Sequence, residues 1–287
     1  MRFDKRRKKF RSILNGDRCV YPGSVFDPIS ARIAEDIGFE VGMFAGSIAS
    51  FTVLGAPDVI VLTLSEFAQQ AQRINRSSEL PLMVDADHGY GNALNVKRTV
   101  EELEMAGVSG MSIEDTELPQ PFGSVGRTKL LSIPEGVGKM KAALDGRQDP
   151  NLIIAGRTSA PGVTNMEDAL ERAMAYEKVG VDAIFLVGVK TKEQLEKISD
   201  AISIPIILGG GGSSDMMDLD YLSAKNVRIC LQGHQPFSAA VKAIYDTMKA
   251  LREGTPTEEL QGIASAELMG KVTKNNDYED MFDKYLK

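Results

Sequence analysis

Eight apolar runs of strand length recur along this chain at intervals of roughly thirty residues, with helix-like segments between them. They are Cys19–Val25, Val41–Ala45, Leu82–Asp85, Gly110–Ile113, Leu152–Gly156, Ala183–Val187, Pro205–Leu208 and Val227–Leu231. Strand and helix in strict alternation make a parallel sheet covered by helices, and eight such units predict an α/β fold closed as a (β/α)8 TIM barrel. The intervening helices show their own period. Val96, Val100, Leu103 and Ala106 recur within Asn95–Ala106, and Ala169, Leu170, Ala173 and Tyr176 within Glu167–Val179. Asn165, followed by Glu167 and Asp168, marks a helix start. A barrel takes about 250 residues, so the 287-residue chain, 43% hydrophobic, divides into a barrel with an N-terminal helix over 1–252 and a helical extension over 253–287.

The composition removes several classes of function. A net charge of −7 offers no clustered basic face for phosphates, which argues against nucleic acid. The basic run Lys5–Arg11 leads into Ser12-Ile-Leu without a long apolar stretch, so it is read as an exposed first helix rather than an export signal. No stretch approaches the ~18 apolar residues of a membrane span. Cys19 and Cys230 lack the paired spacing of a zinc site and are expected as reduced core residues of a cytoplasmic protein.

In barrels of this kind the functional groups stand beyond the carboxyl ends of the strands. Strand three ends in Asp85-Ala-Asp87-His88-Gly89, and alternate residues of a strand share a face, so both carboxylates can converge on one ion while Ala86 packs behind them. The alternative is that Asp87 caps the helix starting near Asn92 and Asp85 closes a turn. The other strands end in Ala45-Gly46-Ser47, Glu114-Asp115, Arg157-Thr158 and Gly233-His234. Each has a plainer reading: Glu114 paired with a lysine, Arg157 in a surface ion pair, His234 as a helix cap before Pro236. Together they form a rim suited to a small anionic substrate chelated to Mg²⁺ or Mn²⁺, since carboxylates select hard divalent ions and two histidines in the chain make zinc improbable. His88 adjoins the metal loop but belongs to a turn, and is read as structural or as a support behind the ligands. The segment Thr116–Ser132, rich in Pro and Gly, exceeds an ordinary connection and is expected to be a lid.

The segments Asp85–Asn92 (Asp-Ala-Asp-His-Gly-Tyr-Gly-Asn), Ser112–Asp115, Gly156–Thr158 and Gly55–Asp58 resemble the isocitrate lyase and phosphoenolpyruvate mutase superfamily. Ser24-Val-Phe-Asp-Pro-Ile-Ser-Ala-Arg-Ile-Ala and Glu135-Gly-Val-Gly-Lys bring the likeness closest to its oxaloacetate decarboxylase branch. The resemblance implies that Asp85 ligates the metal directly, with Asp87 and Glu114 holding its waters. It also implies that Ser47 and Arg157 bind the substrate's carboxylate and keto oxygens, that the Gly46 turn orients the same end, and that His234 touches the substrate. It further implies a homodimer or a homotetramer, a dimer of dimers, with a C-terminal helix swapped between subunits. The apolar tail residues Leu260, Ile263, Ala266, Leu268 and Met269 need some such surface, unless they pack back on their own barrel.

Departures from other branches narrow the chemistry. The isocitrate and methylisocitrate lyases of the superfamily carry a loop cysteine as general acid and base, whereas Pro121–Lys129 here has neither Cys nor His. Phosphonomutases use a loop asparagine, and none lies between Thr116 and Ser132. Decarboxylation of oxaloacetate, or a similar 2-oxo diacid, to pyruvate and CO2 demands least: the electrons left by CO2 pass into an enolate whose oxygen the metal holds. The alternatives are a phosphonopyruvate or carboxyphosphonoenolpyruvate type of phosphonomutase or hydrolase, a related 2-hydroxy acid carbon–carbon lyase, and a noncatalytic barrel that binds a chelated metabolite. Gly209–Gly212 is the main argument for a phosphorylated substrate, because glycine lets backbone N–H groups approach phosphate; a flexible loop explains it equally.

Overall fold

The computed structural model describes residues 3–124, 126–210 and 214–287. Among them, eight parallel strands form one sheet in chain order: β1 (Gly23–Ser24), β2 (Gly42–Phe44), β3 (Leu82–Asp85), β4 (Gly110–Glu114), β5 (Ile153–Thr158), β6 (Ala183–Leu186), β7 (Ile206–Leu208) and β8 (Val227–Cys230). The edges meet at one parallel bridge, Val20 with Ile229, where Val20 N–H donates to Arg228 O and Cys230 N–H to Val20 O, both at 3.0 Å. The first apolar run therefore survives as a bridge and a two-residue strand. Pro22, which has no N–H to give, stands between them.

Helix α1 (Asp4–Leu14) precedes the barrel, and α2 (Pro28–Asp36), α3 (Leu64–Ser77), α4 (Ala93–Met105), α5 (Ile133–Gly146), α6 (Met166–Val179), α7 (Lys192–Ser199), α8 (Leu219–Ala224) and α9 (Gln235–Arg252) follow the eight strands in turn. Asn165 caps α6 by accepting from Asp168 N–H, as its sequence suggests. Asn92 caps α4 by accepting from Leu94 N–H, so Asp87 is not the cap.

Strand alternation sorts the core into two parts. Met43, Ala45, Met83, Ile153, Ala155, Phe185, Ile207 and Ile229 face the barrel interior, while Phe44, Val84, Met111, Ile113, Ile154, Ile184 and Leu208 pack under the helices. The same parity turns Asp85, Glu114 and Arg157 inward at the carboxyl ends of their strands.

The first helix is not the exposed element its lysines and arginines suggest. Lys5, Lys8 and Lys9 face solvent, but Arg6, Arg7, Phe10 and Leu14 are buried at the opposite end of the barrel from the carboxylates. Arg6 donates to Ser78 O at 2.8 Å, and Arg7 donates to Val108 O at 3.0 Å and to Asp149 Oδ2 at 2.9 Å. Ser78 is the C-cap of α3 and Val108 lies just before β4, where the chain is in neither helix nor strand, and one guanidinium can donate to several acceptors at once. Phe10 fills the floor so closely that a Cβ on Gly110 would lie 2.3 Å from its Cε1.

The C-terminal part behaves differently. None of the α9 side chains is buried, and Val241, Ile244, Tyr245, Met248 and Leu251 are exposed. Two further helices follow, α10 (Ala266–Thr273) and α11 (Asn275–Tyr285). Of the tail, α10 packs back: Val272 is buried, Arg32 Nη1 donates to Val272 O at 3.1 Å and Lys271 pairs with Asp36 at 2.7 Å. Ile263, Leu268 and Met269 stay exposed. Among the described residues no helix is long and apolar enough to cross a membrane.

The floor packing yields a test. Gly110→Ala is expected to destabilise the protein by about 1–3 kcal/mol through overpacking against Phe10, read as a lower denaturant midpoint; an unchanged midpoint would contradict the packing described.

Candidate active site

A cavity of about 1100 Å³ opens at the carboxyl ends of the strands, lined in part by Ser47, Asp58, Asp85, Asp87, Glu114, Arg157 and His234. Gly46 does not line it, but it determines where Asp87 lies. Its α-carbon is so near the carboxylate that an added Cβ would sit 2.2 Å from Asp87 Oδ2.

Strand register builds the centre of the site. Glu114 and Arg157 are paired neighbours on β4 and β5, and Asp85 is the neighbour of Ser112 across β3 and β4. Arg157 consequently bridges two carboxylates: Nη1 pairs with Asp85 Oδ2, and Nη2 lies 3.3 Å from Glu114 Oε2. Two hydroxyls add to the clamp. Ser112 Oγ donates to Asp85 Oδ1 at 2.9 Å and Thr116 Oγ1 to Glu114 Oε2 at 2.9 Å. The guanidinium also lies over the Phe185 ring, 5.5 Å from its centroid.

Asp87 reaches the cluster by a different route from the one strand alternation suggests. β3 ends at Asp85, and Asp87 has φ +48°, in the left-handed region. Its backbone N–H donates to Asp85 Oδ1 at 3.3 Å, and Ala86 packs behind as expected. The turn continues with positive φ at Gly89, Tyr90 and Gly91. At Gly89 a side chain would strike Val96, since an added Cβ would lie 2.5 Å from Val96 Cγ2. His88 is buried beside this turn, away from the cavity lining; its carbonyl accepts from the buried Lys139 Nζ at 2.7 Å, and burial together with Lys139 pushes its pKa down to about 4. That is a structural residue, as the sequence reading has it.

Asp115 leaves the rim. One residue past Glu114, it points outward, where its Oδ2 accepts from Arg172 Nη1 at 2.9 Å and from Tyr176 OH at 2.6 Å. Thr158 is likewise buried, accepting from Ala160 N–H at 3.2 Å. Leu131 N–H donates to Asp115 O at 2.7 Å and Thr116 bridges Leu130, so the two feet of the 116–132 segment are tied together beside Glu114. His234 occupies the N-cap position of α9 but makes no capping bond; its Nδ1 lies 2.8 Å from Ser24 Oγ. Glycines 211 and 212 of the Gly209–Gly212 run lie outside the described residues. Gly209 and Gly210 have a packing reason, because added Cβ atoms would meet Leu186 O at 3.0 Å and Leu231 O at 2.2 Å.

Charge is unbalanced here. Burial, followed by the charges of Asp85, Glu114 and Asp58, holds the Asp87 carboxyl well above the usual carboxylate range. Burial also raises Glu114, with Arg157 opposing. Arg157 loses solvation on burial, yet Asp85 and Glu114 more than compensate and fix its positive charge. Four carboxylates thus face one guanidinium. A hard divalent cation suits that donor set, and Asp85, Asp87 and Glu114 are the residues able to hold it. Among the described residues no three such side chains already close on one point; Arg157 lies between two of them.

Asp58, Ser112, Thr116 and Ser24 carry no role in the sequence reading. Parity could have flagged two of them: Ser112 lies two residues before Glu114 and Thr116 two residues after it, on the inward face.

The chain belongs to the phosphoenolpyruvate phosphomutase family, whose model matches residues 10–252. A protein of Rhodopseudomonas palustris (strain BisB18) named oxaloacetate decarboxylase is 58% identical over 274 residues, covering 96% of this chain and 94% of that protein. Oxaloacetate acetylhydrolase in complex with the inhibitor 3,3-difluorooxalacetate has the same fold, with TM-score 0.86, 27% identity and coverage of 98% and 97% of the two chains. Phosphonopyruvate hydrolase with oxalate and Mg²⁺ also gives TM-score 0.86, at 26% identity, covering 98% of this chain and 99% of that one. The resemblance read from the motifs is borne out.

The carboxylate excess predicts a pH signature. A pKa raised in the folded state stabilises below the unfolded value and loses that contribution as pH rises through the folded value. Asp87→Asn should therefore melt higher than the metal-free wild type at neutral pH and converge with it in acid; a variant that melts lower throughout would contradict the repulsion.

Proposed function

We propose that this protein is a carboxy-lyase that decarboxylates oxaloacetate, or a similar 2-oxo diacid, to pyruvate and CO2. The observation that carries the reading is Arg157 clamped between Asp85 and Glu114 in a carboxylate-rich cavity that has no cysteine among its described lining residues. The relative named oxaloacetate decarboxylase supports it. Mg²⁺, with Mn²⁺ as the substitute, would be held by Asp85 directly and by Asp87 and Glu114 around it, and supplies positive charge that favours electron flow away from the breaking bond.

The chain's own residues do the rest. Arg157, already charged and shielded, offers paired N–H donors to the C1 carboxylate or the C2 oxygen, which competes with Asp85 for them. The C3–C4 bond breaks, CO2 departs, and its electron pair is delocalised onto the C2 oxygen that these donors face. Ser47, on the helical turn that follows β2, places a hydroxyl in the cavity for the substrate carboxylate, and Gly46 keeps room for Asp87 beside it. His234 meets the substrate from the β8 side. Segment 116–132 contains no Cys, His or Asn, so C3 takes its proton from water or a weak acid. Positive charge for a phosphoryl group would have to come from the 116–132 segment in addition to Arg157; Lys129 instead pairs with Glu117 at 3.1 Å, and both Arg127 and Lys129 face solvent.

We also infer a homodimer or homotetramer in which the helical extension is exchanged between copies, because Ile263, Leu268 and Met269 are uncovered, as are the apolar residues of α9 that lead into it. The barrel unit is 1–252 and the extension 253–287, and buried reduced cysteines suit the cytoplasm.

Two outcomes follow. Purified protein should release CO2 from oxaloacetate only with Mg²⁺ or Mn²⁺, and Arg157→Ala should lower kcat about 10²–10³-fold. Phosphonopyruvate conversion by phosphorus NMR without pyruvate formation from oxaloacetate would reverse the assignment, and ligand binding without turnover would point to a noncatalytic barrel. Light scattering should give a dimer or tetramer that Ile244→Glu weakens; a monomeric wild type would contradict the exchange.

A further inference from the structure

The seam where β8 meets β1 is thinly closed. Low in the barrel it is the Val20 and Ile229 bridge. At the cavity it is a side-chain contact, Ser24 Oγ to His234 Nδ1 at 2.8 Å, and both residues line the cavity. The ring is held in place from its helix as well. Phe237, three residues on, stacks on Phe51 with centroids 5.7 Å apart and meets Phe26 edge-on at 5.4 Å, which fixes the start of α9.

We propose that Ser24 is a positioning residue for His234: its hydroxyl donates to Nδ1, so the ring carries its proton on Nε2 and presents an N–H donor to the substrate. The assignment of the substrate rests on the decarboxylase reading; the hydrogen bond does not. A neutral imidazole has one donor and one acceptor nitrogen, and the partner of one nitrogen decides the role of the other. Burial keeps the ring neutral, with the Asp85 charge opposing more weakly. A 2-oxo dianion shows the ring only oxygen acceptors. A donor at Nε2 binds them, and a lone pair there repels them. The reverse arrangement, with Nδ1–H donating to Ser24, would make Nε2 a base, and decarboxylation has no use for one.

Placement on β1 explains why Ser24 can do this. Gly23 packs outward, with an added Cβ 3.0 Å from Ala34 Cβ, and Val25 is buried in the layer under the helices, so Ser24 between them faces inward. A hydroxyl there spans the seam to His234, which lines the cavity beyond β8.

The chain has two histidines, His88 and His234, so nitrogen-15 NMR of imidazole-labelled protein shows two rings, and His234→Asn assigns them. The expected wild-type His234 has a pyrrole-like Nε2 and a pyridine-like Nδ1 displaced by an accepted hydrogen bond. Ser24→Ala should lose that displacement and mix the tautomers, raising KM for oxaloacetate about fivefold to tenfold with a smaller change in kcat. Ser24→Thr, which keeps the hydroxyl, should restore both. A wild-type ring protonated on Nδ1 overturns the proposal without recourse to any variant, as does a folded Ser24→Ala whose tautomer and KM are unchanged. The expected ring pattern in a protein that leaves oxaloacetate intact would sink the functional reading and leave the Ser24 pairing standing.

Discussion

Arg157 bridging Asp85 and Glu114 is the interaction on which the site depends. At 4 Å an ion pair is worth roughly 4 kcal/mol at the effective dielectric of a protein surface, and repulsion between like charges is of similar size. One guanidinium therefore cannot neutralise Asp58, Asp85, Asp87 and Glu114 together, and the cluster is stable only because the rest of the barrel holds it. The surplus is what makes the mouth of the barrel receptive to a hard cation and, with it, to an anionic keto acid.

The surrounding structure serves that constraint in layers. Ser112 satisfies the second oxygen of Asp85, and Thr116 adds a donor to the Glu114 oxygen that Arg157 already faces. Behind the left-handed turn at Asp87, buried Lys139 holds the His88 carbonyl, and Gly46 and Gly89 leave space that any side chain would fill. Asp115, Arg172 and Tyr176 fix the outward side of the same strand end, and Arg172 Nη1 also donates to Leu131 O at 2.9 Å, tying down the returning foot of the 116–132 segment. At the far end of the barrel, Phe10 and the arginines of α1 close the floor.

Much of this is legible in the residues. Buried parallel strands read as apolar runs, so all eight appear, with Pro22 explaining the shortened first one. The inward residues Asp85, Glu114 and Arg157 follow from strand ends and parity. Two kinds of feature escape. The route of Asp87 into the cluster depends on backbone torsion after the strand, which alternation cannot foresee. Partners distant in sequence escape as well: Arg6 and Arg7 lie in a charged run that resembles a solvated face, and only the folded barrel supplies the carbonyls that bury them. Ser24 is silent for the same reason, since His234 lies 210 residues away.

The central claim is that this carboxylate surplus takes up one hard divalent ion. Titration of Mn²⁺ followed by electron paramagnetic resonance tests it without any assay of turnover. The account predicts one ion bound per chain, displaced by Mg²⁺ and lost in Asp85→Ala; a wild type that binds none, or an Asp85→Ala variant that binds as well as the wild type, would contradict it.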